Sequence, residues 1–154
     1  MKVSLIILFF LTSIIAIGQN ISIENPPKKT WKILIKNSNN KEVNYQLIGQ
    51  VLIDNDFSIE KKDLDYLTIE TKPKLTSAET SIFYLNFIAK DNLIILTGMG
   101  KSRININLAV IEDEYSKIKN MGMRGSIAKD QFNSMINCAK LFDKDGNTFE
   151  YVFE

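Results

Sequence analysis

Apolar and polar residues alternate along the chain with two distinct periods, and the switches between them mark its elements. Between Trp31 and Lys74 the pattern reads strand, helix, strand, strand. Trp31, Ile33 and Ile35 alternate with Lys32, Leu34 and Lys36, the period of a strand with one apolar and one mostly cationic face. Asn37 to Asn40 supply turn and cap chemistry. Val43, Leu47 and Val51, with Ile48 and Leu52, then recur at spacings of three and four, which predicts a helix over Lys41 to Ile53. Asp54-Asn55-Asp56 ends it. Phe57 and Ile59, then Leu67 and Ile69, predict two short strands about a charged turn from Lys61 to Asp65.

After a polar loop from Pro73 to Thr80 come two long apolar runs, Ser81 to Ala89 and Asn92 to Met99, joined at Lys90-Asp91-Asn92. This is the clearest hairpin in the chain. Both registers of the first run are largely apolar, which predicts central strands. Ile104 to Asn120 carries strand spacing at Ile104, Ile106 and Leu108 and helical spacing at Ile111, Tyr115 and Ile118, so a strand followed by a short helix is expected. A second helix over Ile127 to Phe142, capped by Ser126, has the stripe Ala128, Phe132, Met135, Ile136, Ala139 and Phe142. Thr148 to Phe153 completes the pattern as an edge strand. The order β-α-β-β-β-β-α-β implies an α+β domain, a mainly antiparallel four- to six-stranded sheet with both helices on one face.

The N-terminus breaks this patterning. Lys2 precedes an unbroken apolar run from Val3 to Ile17, shorter than the roughly 20 residues needed to span a bilayer, and Ala16 and Gly18 are small. This predicts a signal peptide over residues 1–18, an extended, proline-stiffened leader with little packing over 19–29, and a single domain over 30–154. Gln19, not a lipid-bearing cysteine, follows the cleavage point. The destination is the periplasm or the exterior, with no membrane span after cleavage. Asn20-Ile21-Ser22 fits a glycosylation sequon, a match too short to carry weight.

The charge balance narrows the partners. Loss of Lys2 from 19 basic and 18 acidic residues leaves 18 of each, and a neutral chain has no bulk attraction to nucleic acid. With no histidine, the commonest general base and zinc ligand are missing. Cys138 is the single cysteine, so no intramolecular disulfide forms, and its place on the flank of the second helix reads as a small packed residue. The acid clusters Asp54/Asp56, Asp63/Asp65 and Glu112 to Glu114 fall in expected turns or helix starts, and the basic residues Lys101, Arg103, Lys117, Lys119 and Arg124 are interspersed with acids.

Three short stretches imitate known sites. Thr97 to Ser102 ends like a phosphate-binding loop but has Ile95 where the first glycine belongs. Asp143 to Asn147 begins like a calcium loop, with its glycine misplaced. Arg124, Gly125 and Ser126, after Gly122, open the second helix, where exposed N–H groups and the dipole hold a carboxylate or phosphate, and Arg124 adds a bidentate contact. These three are the candidate ligand-binding residues, and no metal or cofactor is expected.

The run Glu42 to Phe57 ending in DNDF, the LTIETKP of Leu67 to Pro73, the strands about Lys90-Asp91-Asn92, and Gly125-Ser126 leading into Phe132, Met135 and Ala139 resemble exported bacterial domains of unknown function with a TATA-box-binding-protein-like fold. They are more weakly similar to the C lipoprotein of the outer-membrane barrel-assembly machine. The resemblance implies a fold and a compartment, and fold does not fix function. The sequence therefore leads to a non-enzymatic exported module that binds an envelope protein. The alternative is a small-molecule binder holding an anionic or amphipathic ligand between sheet and second helix, oriented by Arg124 and Ser126.

Overall fold

The computed structural model describes residues 23, 25–103, 114–144 and 146–154. The chain runs β1 (Thr30–Lys36), α1 (Lys41–Asp54), β2 (Ile59–Asp63), β3 (Thr68–Thr71), β4 (Lys74–Leu75), β5 (Ser81–Lys90), β6 (Leu93–Ser102), β7 (Ser116–Lys117), α2 (Ile127–Lys140) and β8 (Thr148–Phe153). Six strands form one antiparallel path, β2-β3-β5-β6-β1-β8, with β4 added to β5 and β7 to β6. The fold is thus α+β with an eight-stranded sheet, two strands of which have only two residues each. Such short strands lie below what alternation reveals, so the sequence predicts four to six.

The hairpin of β5 and β6 is the spine. Lys90 pairs with Leu93, leaving the two-residue turn Asp91-Asn92, and Asn92 takes the positive φ of 60° that such turns require. Period-2 alternation then sends Phe83, Leu85, Phe87 and Ala89 of β5 and Ile94 and Leu96 of β6 to the inner face, where Ile33, Ile35, Ile69, Phe149 and Tyr151 join them. Both helices cover that face. From α1 come Ile48, Val51 and Leu52, and from α2 come Phe132, Met135, Ile136 and Ala139, closing one core. Each such side chain gains about 1.5–3 kcal/mol from leaving water, so this layer outweighs any surface ion pair.

The stripe of α1 is rotated from the sequence expectation. Val43 is exposed, whereas Asn44 is fully buried one position on. Burial of an amide is tolerable because every group is bonded. Asn44 Nδ2 donates to the Lys90 carbonyl at 2.8 Å, and its Oδ1 accepts from Asn37 Nδ2 at 2.7 Å. The same knot ties the β1–α1 loop to the hairpin turn, with Asn92 N donating to Asn39 O at 2.7 Å and Lys41 N to Asp91 Oδ1 at 2.9 Å. Asn40 caps α1, its side chain accepting from Val43 N at 2.9 Å.

Several expectations need correction. Lys61 to Asp63 belong to β2, so the turn lies at 64–67, and the loop after Pro73 contains β4. The leader packs more than its composition suggests: Ile23 is buried, and Asn120 Nδ2 donates to the carbonyls of Pro26 and Pro27, each at 2.8 Å. Asn120 also donates its N–H to Thr30 O at 2.7 Å and accepts from Lys29 N at 2.9 Å. Of the stretch from Ile104 to Asn120, residues 104–113 lie outside the described residues, and so does the expected strand at Ile104 to Leu108. The described remainder forms β7 where a helix is expected, because Ser116 and Lys117 pair with Gly100 and Met99. In α2, Ala128 is exposed and Gln131 is buried in its stead.

Candidate functional site

The β5–β6 hairpin shows why Thr97 to Ser102 is no phosphate loop. The whole stretch is strand, and its glycines face the helix layer. A Cβ on Gly98 would meet Ile118, Leu85 and Met135, and one on Gly100 would meet the Gln131 side chain at 2.6 Å. Glycine here lets α2 approach. At the other imitation, Asn147 Nδ2 donates to the Phe142 carbonyl at 2.7 Å and Gly146 has a positive φ of 89°, so the described part of Asp143 to Asn147 works as a helix-end turn. Asp145 lies outside the described residues.

Arg124, Gly125 and Ser126 do come together, in a four-residue turn closed by Ser126 N donating to Met123 O at 3.0 Å, with Gly125 at φ 84°. Ser126 Oγ is engaged as the α2 cap, accepting from Lys129 N at 3.3 Å. Arg124 points from an exposed position. Asp130, in the first turn of α2, accepts from Ala78 N and brings a carboxylate to the same end. An anion there meets a solvated guanidinium, a neighbouring acid and an occupied cap, which is weak binding chemistry.

A concavity lies elsewhere, between the end of α1, β4 and the middle of α2. Its volume is about 260 Å³, and Phe57, Phe83 and Leu141 supply its apolar wall. Lys74 stands at its edge because β4 pairs Lys74 with Phe83. The Lys74 ammonium sits 4.4 Å from the centre of the Phe57 ring and donates to the Asp56 carbonyl at 3.2 Å. Ser134 and Asn137 add polar groups from α2. Cys138 also lines the wall, and burial pushes its thiol up to about 12 although Lys74 pulls it down. It is protonated at neutral pH and is no nucleophile. The volume falls just under the roughly 300–1,000 Å³ usual for ligand pockets, so it suits a small acid or one side chain.

The second surface is the face of the sheet that neither described helix covers, here called the bare face. Its registered rows alternate: Leu34, Ile95 and Ile88 form one row, and Lys32, Thr97, Asn86 and Glu70 the next. Met99 and Tyr84 follow as a further apolar row. Trp31 is the extra residue of a β-bulge in β1, which lets its ring lie between two cations, Lys32 Nζ at 4.5 Å and Lys117 Nζ at 4.1 Å from its centre. Tyr115 meets Tyr84 edge to face at 5.0 Å, and Lys101 lies 5.2 Å from the Tyr115 ring. Burial raises the Tyr84 pKa, helped by Glu70 and Tyr115. Acids on this face are paired: Glu70 with Lys61 at 3.3 Å, Glu150 with Lys36, and Glu154 with Lys117 at 3.5 Å and Lys119 at 2.6 Å. Lysines therefore outnumber acids across it.

Sequence reasoning reached Arg124, Gly125 and Ser126 but missed Phe57, Lys74 and Phe83, which the loop after α1 and the strands β4 and β5 bring together. The one signal for the bare face was the doubly apolar register of β5. Among the described residues there is no group of three or more Cys, Asp or Glu placed to hold a metal, and no helix is long and apolar enough to cross a membrane. No family model matches the chain, and no curated protein matches it.

Proposed function

We propose that this chain is a non-enzymatic exported module, periplasmic or extracellular, that binds an envelope protein through the bare face of its sheet. The observation that carries the reading is the row Leu34, Ile95 and Ile88, half-buried or exposed and bordered by lysines, on a sheet whose two described helices lie behind it. Apolar residues there remain partly wet until something covers them, and the surrounding cations favour a partner whose apolar patch carries an acidic rim.

The test is capture of partners by the full-length chain from envelope extract, beside an Ile88→Glu variant. Ile88 is 37% exposed, so the change leaves the core intact. A stoichiometric protein held by the native chain and lost with Ile88→Glu supports the reading; equal capture by both overturns it.

A second reading rests on the groove at Lys74: a small amphipathic acid, its carboxylate on the ammonium and its chain against Phe57 and Phe83. Here Lys74→Ala, not Arg124→Ala, abolishes a thermal shift produced by short-chain carboxylic acids.

A further inference from the structure

Among the described residues the sheet ends in two unpaired edges, β2 and β8, and they are built differently. At one, β2 reads Ile59-Glu60-Lys61-Lys62-Asp63, four charges in five residues, with an irregular register against β3. Charged residues and bulges on an edge strand prevent further pairing. At the other, β8 reads Thr148-Phe149-Glu150-Tyr151-Val152-Phe153. It has no lysine, proline or glycine, its one acid is tied to Lys36, and its residues are strong strand formers. Among the described residues only β1 pairs with it, and its outer backbone N–H and C=O groups have no strand partner among them. Phe153, more than half exposed, extends the apolar side of this edge.

We infer that β8 pairs with β8 of a second copy, antiparallel about a two-fold axis, joining two sheets into one. The argument is self-complementarity. Residues directly opposite in an antiparallel pair share a face, so the axis must pass at a residue of β8 and not between two. With the axis at Glu150, two carboxylates oppose each other. With the axis at Val152, Glu150 opposes Glu154. With the axis at Tyr151, Phe149 opposes Phe153 on the core side, while Glu150 opposes Val152 and Thr148 opposes Glu154 on the bare side. Of these three registers, the ones that pair at least five of residues 148–154, only the third sets aromatic on aromatic with no acids opposed, the pairing that contributes most across strands. The interface is isologous, and a formal net charge of +1, zero once Lys2 is lost, offers little repulsion between copies. A six-residue edge pair is small, which places the dimer in the weak, concentration-dependent class. The inference is independent of the bare-face reading, because the edge and the face are different surfaces.

Sedimentation of the full-length chain over a wide concentration range tests it. The expected result is a reversible doubling of mass that Phe153→Lys removes while the circular dichroism and melting temperature stay unchanged. Register is tested by mild oxidation of an equimolar mixture of Glu150→Cys and Val152→Cys chains, which should cross-link several-fold faster than either alone. Native Cys138 is buried and does not compete. A monomer at every concentration, a dimer untouched by Phe153→Lys, or equal cross-linking in all three samples overturns the inference.

Discussion

A Cβ placed on Gly98 would stand 2.9 Å from the Cδ1 atom of Ile118, with Leu85 at 3.2 Å and Met135 sulfur at 3.4 Å on its other sides. All three neighbours are buried in the core. Gly98→Ala therefore overpacks the core and should cost about 1–3 kcal/mol in urea unfolding. Gly100→Ala should cost less, because the atoms in its way are the far end of the Gln131 side chain, which turns aside more readily.

Asn44→Ala should be as damaging as a core truncation although it deletes only an amide. The Lys90 carbonyl and the Asn37 side chain lose their partner inside the protein, and a buried polar group left unpaired costs about 1–3 kcal/mol. Hydrogen exchange should locate the damage: the Asn92 amide, bonded to Asn39 O, should lose protection well before the strands do.

The turn before α2 separates structure from binding. Ser126→Ala removes the cap and should cost about 1 kcal/mol. Gly122→Ala should match or exceed it, since its φ is +80° and the new Cβ would lie within contact of Ser126 Oγ. Arg124→Ala should change neither the melting temperature nor the retention of any anion.

Alkaline unfolding should follow two buried groups. Burial pushes Cys138 from 9.0, and Tyr151 from 10.0, to about 12 each. Both hold their protons more tightly folded than unfolded, so their stabilisation is complete below pH 9 and is lost as pH rises from 9 towards 12. Cys138→Ala should remove the earlier part of that loss, and the native thiol should resist maleimide at neutral pH until the protein unfolds. The Tyr151 hydroxyl is buried without a partner among the described residues, so Tyr151→Phe should stabilise by about 1 kcal/mol, read from the urea midpoint.

What the sequence disclosed and what it hid divide along the distance between partners. Asp91-Asn92 and the caps Asn40 and Ser126 act within a few residues, and all three stand where their local chemistry places them. Asn44 acts across 46 residues, so the helical period around Val43 pointed the wrong way. The insertion of β1 between β6 and β8 is likewise a long-range choice that alternation alone does not encode. The groove was hidden for the same reason: Phe57, Lys74 and Phe83 have nothing in common in sequence, and β4 brings two of them together with only two residues. Arg124 was conspicuous because glycines and a cap gather near it, yet those residues shape the chain and leave the guanidinium in water.

The hold of Asn120 on the Pro26 and Pro27 carbonyls has a mechanical consequence. Lys129 Nζ donates to Asn120 Oδ1 at 2.6 Å, so the clamp is fastened to α2 as well as to the leader. Tension on the chain ahead of residue 23 meets the buried Ile23 and then this clamp, which shares it with a helix. Beyond it lies β1, hydrogen-bonded along both sides to β6 and β8, which takes the load along its length. A strand gripped on two sides must shear two ladders at once, so force entering at Thr30 meets both ladders of β1 together.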